Sequence, residues 1–209
     1  VEGTFSIEVA EDAEGALSRG VHLVASKEQL IKFFKRISKT SNYFEKLKDL
    51  LRPLIHKNYV RESLYRKKII VQEFIPNLKN DWKILIYGNK YFIFSRPVKK
   101  GDFRASGSGI DNYSFGSKCK YPKGILDYAK QIFDLLNVPQ LSIDVAFDGT
   151  SFYLLEFQAI FIGTVGFSKS DNYFIREDQK WFSKKKTQTL EEVYVQAVLL
   201  FIKKKYNDN

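Results

Sequence analysis

The run "DWKILIYGNKYFIFSRPV", Asp81 to Val98, constrains the fold more than any other part of the chain. Branched and aromatic residues fill both halves, and the turn pair Gly88-Asn89 divides them, so the segment reads as a β-hairpin. A second strand-turn-strand unit follows later, "LSIDVAF" and "SFYLLEF" joined through Asp148-Gly149. A helix is predicted between the two hairpins, from about Lys123 to Asn137, with its apolar stripe set by Ile125, Ala129, Ile132 and Leu136.

The other elements have their own local signals. Ser26 with Gln29 is a capping-box pattern, and Leu30, Phe33, Phe34 and Ile37 recur at helical spacing behind it. A second helical stretch runs from Tyr43 to about Leu54 and ends at or just past Pro53, with Phe44, Leu47 and Leu51 on one side. At Ile69 the texture changes to a branched apolar run, "IIVQEFI". A last helix starts at a capping box of Thr189 and Glu192 and reaches about Tyr206. Hairpins and helices mixed in this order predict an α+β protein with mostly antiparallel sheet.

Composition excludes several kinds of chemistry. A hydrophobic fraction of 44% supports a real core. Cys119 is the only cysteine, so an intrachain disulfide and a thiolate-rich zinc site are excluded, and a reducing, cytoplasmic compartment is the expectation. His22 and His56 alone leave histidine-based metal or triad chemistry poorly supplied. No apolar run approaches the roughly 20 residues that cross a bilayer. The chain begins at Val1, has no methionine and opens without a signal pattern, so it reads as a segment of a longer chain.

The net charge of +10 gathers in "YRKK" at 65–68, "PVKK" at 97–100, "SKKK" at 183–186 and "KKK" at 203–205, which favours an anionic partner or simply forms a solvated basic face. A nucleic-acid surface would need aromatic rings interleaved with lysines on one exposed face. "YGNKYFIFSRPVKK" has that composition, but its aromatics alternate as core residues do.

Two carboxylates stand out on the second hairpin. If Asp148 to Thr150 form a three-residue loop, Ser142 pairs with Glu156 and Asp144 with Leu154, which sets Asp144 and Glu156 as diagonal neighbours about 7–8 Å apart on one face. Gln158 shares that face. Two carboxylates and an amide oxygen suit Mg²⁺. The alternative is the wet face of an alternating strand, although Ala146, Phe152 and Leu154 make the face half apolar. Equally unusual is "GDFRASGSG", Gly101 to Gly109, where one arginine stands among glycines and serines that contribute little to a core.

Taken in order, "IIVQEFIP", "NDWKILIYGNKYFIFSRPVKKGDFRASGSG" and "LSIDVAFDGTSFYLLEFQ" resemble the ATP-grasp superfamily, in spacing its ribosomal-protein glutamate ligase branch. The resemblance covers roughly residues 11 to 163 and is strongest from 70 to 158. It implies two α+β lobes with nucleotide between them, the smaller spanning 1–68 with a phosphate-covering loop and the larger 69–209. It implies an ATP-dependent carboxylate–amine ligase working through an acyl phosphate, with ATP, Mg²⁺, a small-molecule or peptide carboxylate and an amine as its partners. A domain before Val1 would complete the substrate cleft.

Carried over position by position, the resemblance makes Gln72, Glu73, Phe74 and Ile75 the adenine hinge. Asp81 falls at the nucleotide, and Lys83 replaces the usual arginine of an Asp-x-Arg pair as a point charge for phosphate. Arg104 stabilises the charge of the acyl-phosphate and tetrahedral intermediates, and Asp144, Glu156 and Gln158 hold magnesium. "EGALSRGV" at 14–21 corresponds to the phosphate-covering loop, with Ser18, Arg19 and Gly20 toward the nucleotide.

The chain departs from the family at two places. Gln158 stands where asparagine is usual, and Glu11 stands where a lysine normally meets the α- and β-phosphates. Arg19 substitutes for that lysine, or the correspondence slips there, or the domain is a degenerate nucleotide-binding module. That module, and a basic nucleic-acid-binding domain, are the alternatives to the ligase.

Overall fold

A computed structural model describes residues 7–11, 21–39, 43–60, 63, 65, 69–100 and 109–207. The chain divides into two compact units, Val1–Ile75 and Pro76–Asn209. Both combine helices with antiparallel sheet, as the order of elements predicts. No helix among the described residues is long and apolar enough to cross a membrane.

In the first unit, strands β1 (Ile7–Glu11), β2 (Val21–Val24) and β3 (Ile69–Glu73) form a sheet of order β2-β1-β3. Helix α1 (Lys27–Ile37) starts where Ser26 caps it, accepting from the Gln29 backbone N–H at 3.3 Å, while the Gln29 side chain accepts from the Ala25 N–H at 3.1 Å. Leu30, Phe33 and Ile69 pack round the buried Val24 and Ile37, whereas Phe34 stays largely exposed. Helix α2 (Tyr43–Ile55) continues through Pro53, which has no N–H to bond to the carbonyl of residue 49, and ends two residues later. β3 pairs with β1 from Ile69 to Glu73, within the first unit.

The second unit is a mostly sequential antiparallel sheet. Its strands are β4 (Asn80–Tyr87), β5 (Lys90–Pro97), β6 (Ser114–Phe115), β7 (Gln140–Phe147), β8 (Phe152–Gln158), β9 (Asn172–Glu177) and β10 (Lys180–Lys185). They lie in the order β10-β9-β5-β4-β7-β8, with the short β6 on β5 beside β9. The β4–β5 hairpin closes at Gly88-Asn89, and Gly88 takes the left-handed φ of +58° that a primed hairpin turn needs at its first position.

Alternation in β4 sends Trp82, Ile84 and Ile86 to one face, where helix α3 (Ile125–Leu136) covers them with Ile125, Leu126 and Ala129. Leu85 and Tyr87 go to the other face, with Phe92 and Phe94 of β5. Two helices cover that side, α4 (Val165–Lys169) through Phe167 and α5 (Leu190–Asn207) through Val193 and Ala197. Close approach of α4 depends on Gly166, where an added Cβ would lie 2.4 Å from the Phe94 ring. The capping box of α5 forms in full: Glu192 accepts from the Thr189 N–H at 2.8 Å, and Thr189 Oγ accepts from the Glu192 N–H at 3.3 Å.

Candidate functional site

The face that carries Leu85 and Tyr87 becomes charged toward the start of β4. Asp81 and Lys83 precede Leu85 at the period of two, and the hairpin register places Arg96 directly opposite Asp81. On the other side of β4, Asp144 of β7 stands opposite Lys83. Beyond it, Glu156 of β8 stands opposite Asp144, and Gln158 opposite Ser142. Four strands therefore bring seven polar residues from separate stretches of sequence onto one face.

The second hairpin differs in register from the sequence expectation. Its loop has four residues, so Phe147 pairs with Phe152, and a bulge between Asp144 and Val145 leaves Leu155 as the extra residue on β8. Together these shifts move Glu156 from a diagonal position to one directly across from Asp144. Asp144 and Glu156 still share a face, but the bulge sends Phe152 and Leu154 to the opposite one, where they pack with Val145 on the side covered by α3.

Asp81, Arg96 and Asp144 are buried, at 3%, 7% and 6% exposure. Arg96 holds both carboxylates: Nε donates to Asp81 Oδ1 at 2.7 Å, and Nη2 donates to Asp81 Oδ2 and to Asp144 Oδ2, each at 2.6 Å. Lys83 Nζ donates to Asp144 Oδ1 at 2.7 Å. Two carboxylates and two cations thus form a neutral quartet, which is how charge survives on a half-apolar face. Burial pushes the Asp81 carboxyl above the usual range, against the pull of the bonds from Arg96. Burial also works against the charged guanidinium, but Asp144 and Asp81 outweigh it and hold Arg96 above its ordinary pKa. Arg96 is accordingly the fixed charge of the quartet.

Glu156 and Gln158 are exposed at the edge of this quartet, where Gln158 Nε2 donates to Glu156 Oε1 at 2.6 Å. Ser142 Oγ, buried on the same face, has no hydrogen-bond partner among the described residues. The oxygen donors of Asp144, Glu156 and Gln158 fit a hard divalent cation in kind. Among the described residues no three His, Cys, Asp or Glu side chains are gathered as a metal site, so the Gln158 amide would have to be the third donor. Asp144 would have to share an oxygen that already accepts from Lys83 or Arg96.

The remaining sequence candidates fall elsewhere. Gln72 and Glu73 close β3 at the edge of the first unit's sheet, and Phe74 and Ile75 follow in the segment leading to the second unit. Arg104 and Ser18, Arg19 and Gly20 lie outside the described residues. Glu11 ends β1, opposite Ile69. A cavity of about 440 Å³ opens on the opposite face of the second sheet beside Trp82, Ser95 and Tyr121, away from the quartet.

Arg96 is the site residue that sequence reasoning passed over. Its signal was present: counting back from a two-residue turn at Gly88-Asn89 pairs position 81 with position 96, an aspartate with an arginine. Compared with protein-family models and with curated proteins, the sequence matches none.

Proposed function

We propose that the chain is the nucleotide-binding part of an ATP-dependent carboxylate–amine ligase of the ATP-grasp type. One observation carries this reading: Asp81, Lys83, Asp144, Glu156 and Gln158, chosen from separate segments by their resemblance to that superfamily, occupy adjacent registers on one face of one sheet.

In this reading Lys83 draws a phosphate or acyl-phosphate oxygen toward the sheet as a point charge, and Arg96 keeps Asp144 oriented while it does so. Arg104 meets the negative charge that develops as the substrate carboxylate is phosphorylated and then attacked by the amine. Asp144, Glu156 and Gln158 would hold Mg²⁺, which would neutralise phosphate charge. Gln72 to Ile75 would offer backbone groups to adenine.

A second reading has its own support. The Asp144 carboxylate is engaged by two cations, Gln158 replaces the shorter asparagine, and Glu11 replaces a phosphate-binding lysine, all of which favour a module that binds nucleotide without turnover. The nucleic-acid reading loses ground, because Tyr91, Phe92 and Phe94 are buried and offer no rings for stacking. Calorimetry with a non-hydrolysable ATP analogue and Mg²⁺ tests the site, and ATP turnover with candidate carboxylates and amines separates ligase from module. No heat at millimolar nucleotide, with Mg²⁺ present, refutes both nucleotide readings.

A further inference from the structure

The proposed nucleotide site makes no use of the cavity on the other face of the second unit's sheet. That cavity measures about 440 Å³, within the range of sites that enclose small molecules. Its floor is Trp82, which pairs with Ser95 across the β4–β5 hairpin. The period of two sends both to the side away from Asp81, Lys83 and Arg96, so the quartet does not reach it. The walls are held by the sheet itself. Ser114 of β6 pairs with Ser95, and Asn80 pairs with Pro97. Trp82 Nε1 donates to the Lys120 carbonyl at 2.9 Å, which ties the segment before α3 to β4.

We infer that this cavity is a second ligand site, for a small phosphorylated polyol of about the size of a pentose phosphate. Charge selects the phosphate. Lys79 and Lys120 come from separate segments and both line the cavity, and neither ammonium pairs with a carboxylate among the described residues. No acidic side chain among the described residues lines it. Two cations without an acid suit a dianion, which a phosphate monoester is near neutral pH, and lysine meets phosphate as a point charge.

Size and lining select the rest of the molecule. At roughly 30 Å³ for each water-sized group, a volume of about 440 Å³ holds about 15 of them, far more than a bare phosphate fills. The amide of Asn80 and the hydroxyl of Ser114 each offer a donor and an acceptor, which is what sugar hydroxyls need. Tyr121 and Pro97 give an apolar wall for the carbon skeleton. Trp82 is 7% exposed and leaves little of its ring for stacking, which disfavours a nucleobase as the occupant. The assignment stands on this face alone and does not depend on the nucleotide reading of the other.

Calorimetric titration of the full chain with ribose 5-phosphate tests it, with ribose and inorganic phosphate as the two partial ligands. Ribose 5-phosphate should bind with a dissociation constant below about 1 mM, and each partial ligand at least about 10-fold more weakly. Lys79→Gln and Lys120→Gln should each weaken binding about 10-fold, the loss of one charge-assisted hydrogen bond. Both side chains are exposed, so melting should change little. The NMR signal of the Trp82 indole N–H, which donates to Lys120 at the floor, should shift on binding, and Trp181→Phe identifies it between the two tryptophans. A non-hydrolysable ATP analogue should not compete. No binding at about 10 mM, or inorganic phosphate binding as tightly as the sugar phosphate, would overturn the inference. So would indifference to both lysine substitutions, an unmoved Trp82 signal, or displacement by the ATP analogue.

Discussion

Replacing Arg96 by methionine removes the cation that binds both Asp81 and Asp144, while a chain of similar length fills its space. Asp81 loses both hydrogen bonds it receives from Arg96, and Asp144 loses one and keeps that from Lys83. Breaking a buried ion pair from one side costs about 3–5 kcal/mol, because the remaining charge stays out of water without a partner. For a unit of this size that corresponds to a fall in melting temperature of about 10–18 °C.

The loss should shrink on acidification. Without Arg96 the folded-state pKa of Asp81 rises further above its unfolded value. A raised carboxyl contributes stability that is present below the unfolded pKa, near 4, and is lost as pH rises through the folded value. Between pH 7.5 and pH 5 the variant should therefore recover stability relative to the wild type. Asp81→Asn added to Arg96→Met should restore part of the loss at pH 7.5, since the orphaned charge is gone. Urea unfolding followed by circular dichroism at both pH values measures all three proteins. A loss below about 1 kcal/mol, or one that is the same at both pH values, would refute the account of the quartet as a coupled buried network.

At Gly166, alanine should destabilise by about 1–3 kcal/mol through its clash with Phe94, although alanine is favoured over glycine inside a helix; thermal melting decides it. The Cys119 thiol is buried and pushed up to about 11 by burial, so iodoacetamide at pH 8 should label it only after unfolding, as mass spectrometry will show. Glu156→Gln should weaken Mg²⁺-dependent nucleotide binding measured by calorimetry, and Gln158→Asn should keep or improve it; both residues are exposed, so melting should change little. Arg104→Ala should leave nucleotide affinity nearly intact and lower ligation about 10²-fold or more, measured as ADP release with a competent carboxylate and amine.

Local elements with strong turn or cap signals are legible in the sequence. The β4–β5 hairpin followed from Gly88-Asn89 and alternation, α1 and α5 from their capping boxes, and α3 from its stripe, because turn and cap chemistry acts within a few residues. Short range also failed where the signals were weak. The β9–β10 hairpin turns on Asp178 and Gln179, both at positive φ, and this pair lacks the glycine or asparagine that marks such a turn. The five-residue α4 is too short to show periodicity, so its place was not foreseen.

The charge quartet has both kinds of parent. Asp81 opposite Arg96 is fixed by one turn and could have been counted from sequence. Lys83 opposite Asp144 depends on β7 pairing with β4 across more than fifty intervening residues, and no local rule sets that register. Glu156 opposite Asp144 needed the bulge at Leu155, which adds a residue without a composition signal. The sequence by itself determined which side chains alternate onto one face of β4, β5 and β7, where no bulge interrupts the period of two. Only the tertiary structure decided which strands lie side by side, and so which charges neutralise one another, because that choice is made by burial summed over the whole sheet.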